Sequence, residues 1–175
     1  LNAAPLWHGT SLYGAQDPDR WDDDLQPFGG LYATSRREVA EQFAEQSGDP
    51  LILRVRVVRG DRVALDEDAL GWPGLHGLPA LDSENGAWRG ALPPALDSAV
   101  EADVLALRRW QTGRNVQNIE EDAPESAWAA LDVEARDAVE HLTHKWARPI
   151  LAAAIQAGDP ALLPNIRLWS GPRRR

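Results

Sequence analysis

Two stretches decide the fold: Leu6-Trp7-His8-Gly9-Thr10-Ser11, and Gly29-Gly30-Leu31-Tyr32-Ala33-Thr34-Ser35. The first reads as a short strand that ends in a turn at Gly9. The second reads as another short strand, Gly30–Thr34, entered from a polar loop over residues 14–30 that Gly29-Gly30 closes. Ser35 and Glu38 then have the spacing of a capping box, so a helix over residues 36–46 follows directly. Val39 with Phe43, and Ala40 with Ala44, stand four apart and define its apolar face. Gly48 is its stop. Leu51–Val58 is the clearest strand, with Leu51, Leu53, Val55 and Val57 on one face and Arg54 and Arg56 on the other.

Working outward, Arg62–Leu65 extends or follows that strand. Residues 66–96 mix Gly, Pro and Trp without steady period, as irregular insertions do. Trp72 and Trp88 there are read as loop packing. Ser98 with Glu101 suggests a second capping box, ahead of a helical stripe at Val100, Val104 and Leu107 that Gly113 ends. Short strands are expected at Asn115–Ile119 and Trp128–Leu131. Residues 133–157 form the longest helical pattern, with Pro149 as a kink and Gly158 as its end. Ile166–Trp169 reads as a last strand. Mixed strands and helices, without βαβ alternation or a Gly-rich phosphate loop, indicate an α+β fold and not a Rossmann domain.

Composition narrows the chemistry. The 175 residues, 43% hydrophobic and 26% charged, fit one globular domain. No apolar run is long enough to span a membrane. The absence of Cys removes disulfides, thiolate metal sites and cysteine nucleophiles. Only Lys145 among the 18 basic residues is a lysine, and 8 of the aromatics are Trp; a GC-rich coding sequence accounts for the arginine excess. The chain opens at Leu1 and holds no Met, which reads as a processed or excised segment. Net charge is -9, with -6 in residues 1–50 and a reversal to +3 in residues 151–175. The terminal Arg173-Arg174-Arg175 tail is no basic stripe, and nucleic acid is disfavoured as a partner. His141 and His144 stand three apart on a helix but lack a third ligand, so they read as surface histidines and no metal is expected. Asp17–Asp24 lacks the Gly and closing Glu of a calcium loop.

With its two deciding stretches followed by the helix and the Leu51 strand, the chain resembles the ADP-ribosyltransferases. More narrowly it resembles their His-Tyr-Glu group, which includes diphtheria-type toxins, poly(ADP-ribose) polymerases and rifampin ADP-ribosyltransferases. About the first 60 residues carry the resemblance; residues 97–132 follow it loosely; residues 66–96 and 133–175 carry none. The resemblance implies a split antiparallel β-sheet flanked by helices, with a C-terminal helical extension. It implies a single domain: an NAD-binding half over 1–65, an insertion over 66–96, late strands with the catalytic acid over 97–132, and a helical element over 133–175.

The resemblance also implies the site. His8 would hydrogen-bond a ribose hydroxyl of NAD, and Gly9 would pair its backbone with the nicotinamide carboxamide. Thr10 or Ser11 would add a hydroxyl. Tyr32 would lie against the nicotinamide ring, and Phe43, eleven residues on, would cover the other side. The acid would stabilise an oxocarbenium ion. Glu121, three residues after Asn118, fits best; Glu120, Glu125 and Glu101 are the alternatives. Ala40 stands where the polymerases carry a hydroxyl, which leaves one carboxamide contact without its usual residue. The implied activity is NAD-dependent ADP-ribosyl transfer by a bacterial toxin or effector domain, onto a protein or small-molecule acceptor, with an immunity or antitoxin protein as a further partner. An NAD glycohydrolase would use the same pocket, with Gln117, Glu120 and Glu125 candidates for placing a transferase's acceptor. A non-catalytic module contacting its partner through Trp-rich loops is the alternative from another class.

Overall fold

The computed structural model describes residues 4–16, 29–70, 86–113 and 133–169. In chain order these form β1 (Leu6–Ser11), α1 (Leu12–Gln16), β2 (Leu31–Ala33), α2 (Arg37–Glu45), β3 (Pro50–Val55) and β4 (Arg62–Leu65). Then come α3 (Pro94–Gly113), α4 (Val133–Gln156) and β5 (Ile166–Trp169), with single 3-10 turns at Glu67–Leu70, Gly86–Ala91 and Pro160–Leu162. The strands make two small antiparallel sheets, β1-β3 and β2-β5-β4. One isolated bridge, Trp7 to Thr34, joins them.

β1 runs straight through Gly9 without the expected turn, in register with β3 from Leu6 opposite Val55 to Ser11 opposite Pro50. The glycine answers a packing demand instead. α2 lies across this face so closely that a Cβ at Gly9 would stand 1.8 Å from the Ala40 carbonyl oxygen. Gly30 does fulfil its expected part: its φ of +87° is one that side chains disfavour, and a Cβ would meet the Trp169 indole at 2.8 Å.

Neither capping box forms. The N-cap of α2 is Arg36, one residue beyond Ser35, and it makes no side-chain cap. The Ser35 hydroxyl donates to the Leu163 carbonyl, 3.3 Å away, and so ties the start of α2 to the approach of β5. α3 starts four residues before Ser98, at Pro94, whose fixed φ suits a first helical position. Asp97 and Glu101 bind Arg89 instead, at 2.9 and 2.7 Å. β3 stops short of Val58, because the Val58 N–H turns to the Asp61 carboxylate and a turn closes there.

The C-terminal part is no appendage. β5 is the middle strand of its sheet, pairing with β2 on one side and β4 on the other. α4 supplies Leu151 and Ala154 to a core with Leu6, Ala33, Leu163, Ile166 and Leu168. Its Ala147, Ile150 and Ala153 join a second core with Leu65, Leu70, Val100 and Val104. Trp88 is buried in that second core, as expected of a packing residue. Each large apolar side chain so buried contributes about 1.5–3 kcal/mol. Among the described residues no helix is long and apolar enough to cross a membrane.

Candidate functional site

The site starts where the two sheets part. At the bridge, the Trp7 N–H donates to the Thr34 carbonyl at 2.8 Å and the Thr34 N–H donates back at 2.9 Å. Backbone groups alternate sides along a strand. Gly9 and Tyr32, each two residues further into the gap, would therefore form the next rung. That rung stays open. The Gly9 N–H and C=O face away from β3, and the Tyr32 N–H and C=O face away from β5. Among the described residues, the only hydrogen bond to these four groups that crosses the gap comes from a side chain: His8 Nδ1–H donates to the Tyr32 carbonyl at 2.8 Å.

This bond fixes the imidazole. A carbonyl only accepts, so Nδ1 carries the proton and Nε2 is left as an acceptor. Burial holds the His8 pKa below the usual histidine value, partly opposed by the bond to Tyr32. His8 is therefore neutral at pH 7, and Nε2 can accept a hydrogen bond from a hydroxyl.

Tyr32 is held from its other end. Its hydroxyl donates to Glu67, with the two carboxylate oxygens 3.0 and 3.2 Å away. Glu67 is 3% exposed and lies 3.2 Å from the Nε of Arg167, which is 0% exposed. Arg167 is the cross-strand partner of Tyr32 and also binds Glu140 at 2.7 Å. His144 completes this polar layer: it lies 2.8 Å from Glu140 and 3.1 Å from the Val63 carbonyl. It is half-buried and tied into the fold, which revises its reading as a surface residue, while His141 is exposed. Burial, followed by the charges of Glu67 and Asp66, pushes the Tyr32 phenol far above the ordinary tyrosine range, with Arg167 pulling the other way. Tyr32 thus offers a ring, not a base.

The remaining expected residues are placed unevenly. Thr10 is half-buried on β1. The Ser11 oxygen accepts from the Gly14 N–H at 2.8 Å and so caps α1. Phe43 projects from α2 and is 60% exposed. Glu101 is on α3, engaged by Arg89. Asn118, Glu120, Glu121 and Glu125, the expected short strands at 115–119 and 128–131, and the Asp17–Asp24 run lie outside the described residues. No group of three His, Cys, Asp or Glu that could hold a metal occurs among the described residues.

Glu67 and Arg167 escaped sequence reasoning. Glu67 sits in Asp66-Glu67-Asp68, which looks like a solvated acidic turn. The usable signal was Arg167 inside the apolar strand Ile166–Trp169, since a buried arginine needs a carboxylate partner.

Searches against protein-family models, curated proteins and solved structures find no match to this chain.

Proposed function

We propose that the chain is an NAD-dependent ADP-ribosyltransferase domain. The open rung between Gly9 and Tyr32, beside the oriented His8, carries this reading. A primary carboxamide has one acceptor and two donors. The N–H and C=O of a single extended residue present the complementary pair, and Gly9 turns both into the gap. The ring of Tyr32 supplies an apolar wall, and His8 Nε2 suits a ribose hydroxyl. These features fit the nicotinamide riboside half of NAD.

In the proposed reaction the bond between ribose C1′ and the nicotinamide nitrogen breaks. Its electron pair leaves with neutral nicotinamide. The ribose becomes an oxocarbenium ion, which a carboxylate, assigned to Glu121, stabilises. The acceptor's nucleophilic atom bonds to C1′ and gives up its proton. Holding the leaving ring in one orientation lowers the entropic part of the barrier. Water as the acceptor would make the same site a glycohydrolase.

Incubation with NAD labelled in its adenylate half, with and without cell lysate, tests the proposal. Label on a macromolecule or small molecule from the lysate supports transfer. Free ADP-ribose without lysate reveals hydrolysis in its place. No turnover, with no NAD binding by calorimetry, would mean a non-catalytic module.

A further inference from the structure

We propose that Glu67 is a positioning residue for Tyr32: by holding the phenol oxygen inside the fold it sets the axis of the ring that the site presents. The inference rests on Tyr32 being the nicotinamide platform, and its geometry is independent of the chemistry that follows.

A tyrosine on a three-residue edge strand has little of its own to hold it. β2 is only Leu31–Ala33, and among the described residues β5 is its one strand neighbour over that span. The backbone anchors one end of the side chain. At the other end the hydroxyl donates to Glu67, whose two oxygens lie 3.0 and 3.2 Å away. The backbone sets the Cβ and the hydrogen bond sets the phenol oxygen, and the line between these two atoms is the long axis of the ring. Arg167 lies over the ring, its guanidinium carbon 5.9 Å from the centre, and restricts rotation about that axis. The far side of the guanidinium is itself held, by Glu140 at 2.7 Å and the Thr143 hydroxyl at 3.3 Å. Orientation therefore passes from α4 through Arg167 and Glu67 to Tyr32. The same contacts engage the Tyr32 hydroxyl inward, so what remains to offer a ligand is the aromatic surface. Arg167 also keeps the Glu67 carboxylate from standing as an unpaired buried charge.

The variants Glu67→Ala and Glu67→Gln separate positioning from general support. Glutamine keeps an acceptor for the phenol but loses the charge that faces Arg167. Both variants therefore weaken the buried ion pair, and only alanine frees the ring. The chain has two tyrosines, so a Tyr13→Phe background leaves Tyr32 as the sole ring-labelled tyrosine for NMR. Expected in Glu67→Ala are averaged Tyr32 ring signals and a nicotinamide Kd raised tenfold or more, with wild-type ring signals and a Kd within about threefold in Glu67→Gln. Unchanged ring signals and nicotinamide affinity in Glu67→Ala would overturn the proposal. Tyr32→Phe keeps the ring and removes the anchor without touching Glu67, so it serves if Glu67→Ala does not fold; nicotinamide binding as tight as wild type would again count against it. Should the wild-type chain bind no nicotinamide, the platform assignment falls, and the ring signals alone decide whether Glu67 orients Tyr32.

Discussion

Gly9 and Ala40 approach so closely that a Cβ on the glycine would lie 1.8 Å from the alanine carbonyl oxygen. The obstacle is helix backbone, not a side chain that can swing away. Gly9→Ala must therefore push α2 off β1, and with it Phe43. Overpacking of this kind costs about 1–3 kcal/mol. Chemical denaturation should place the loss near the upper end of that range, and a change near zero would contradict the observed packing.

Arg167→Met removes the only cation seen between Glu67 and Glu140 among the described residues. Two buried or half-buried carboxylates then lose the guanidinium that both of them face. Breaking such an arrangement from one side costs about 3–5 kcal/mol. Urea denaturation should show a lower midpoint, and a midpoint equal to wild type would contradict the buried ion pairing.

His8 gives a pH dependence with a definite sign. Its folded pKa is held below the unfolded value by burial. Between the two values the unfolded chain binds more protons, so stability rises with pH through that window. The contribution is fully present above the ordinary histidine pKa of about 6.5 and is lost as pH falls below it. His8→Gln cannot titrate. Its denaturation midpoint should therefore fall less steeply than wild type as the pH drops through this window. Equal slopes would place His8 outside the titrating set.

Phe43 separates a binding role from a packing role. At 60% exposure it contributes little to the core. Phe43→Ala should change stability by no more than about 0.5 kcal/mol. If the ring covers nicotinamide, the same variant should weaken NAD binding severalfold by calorimetry. Unchanged affinity would remove Phe43 from the site.

The acid is tested by kinetics. Glu121→Ala should lower kcat on NAD by about a hundredfold or more while NAD binding changes little, because the carboxylate acts on charge that develops in the transition state. If Glu120→Ala shows that pattern instead, the assignment is off by one residue.

Much of the local structure was legible in the sequence because local rules govern it. Apolar spacing placed α2 and α4, alternation marked β3, and the Gly29-Gly30 pair bounded β2. The capping boxes were misleading because Ser35 and Glu101 are engaged by residues distant in sequence: the Leu163 carbonyl and Arg89. No local rule could say that β5, from the far end of the chain, would enter the sheet beside β2. Nor could it give Gly9 its constraint, which comes from a helix thirty-one positions later. The sequence by itself determined the types of the described strands and of α2, α3 and α4, though not the short helix α1, which stands where a loop was expected, and it brought His8, Gly9 and Tyr32 forward as candidates. Only the tertiary structure decided that the rung between β1 and β2 opens beyond Trp7 and Thr34, and that Arg167 and Glu67 enclose the Tyr32 hydroxyl. The physical reason is that both depend on long-range pairing, where a backbone group or buried charge is satisfied by residues the chain brings near only on folding.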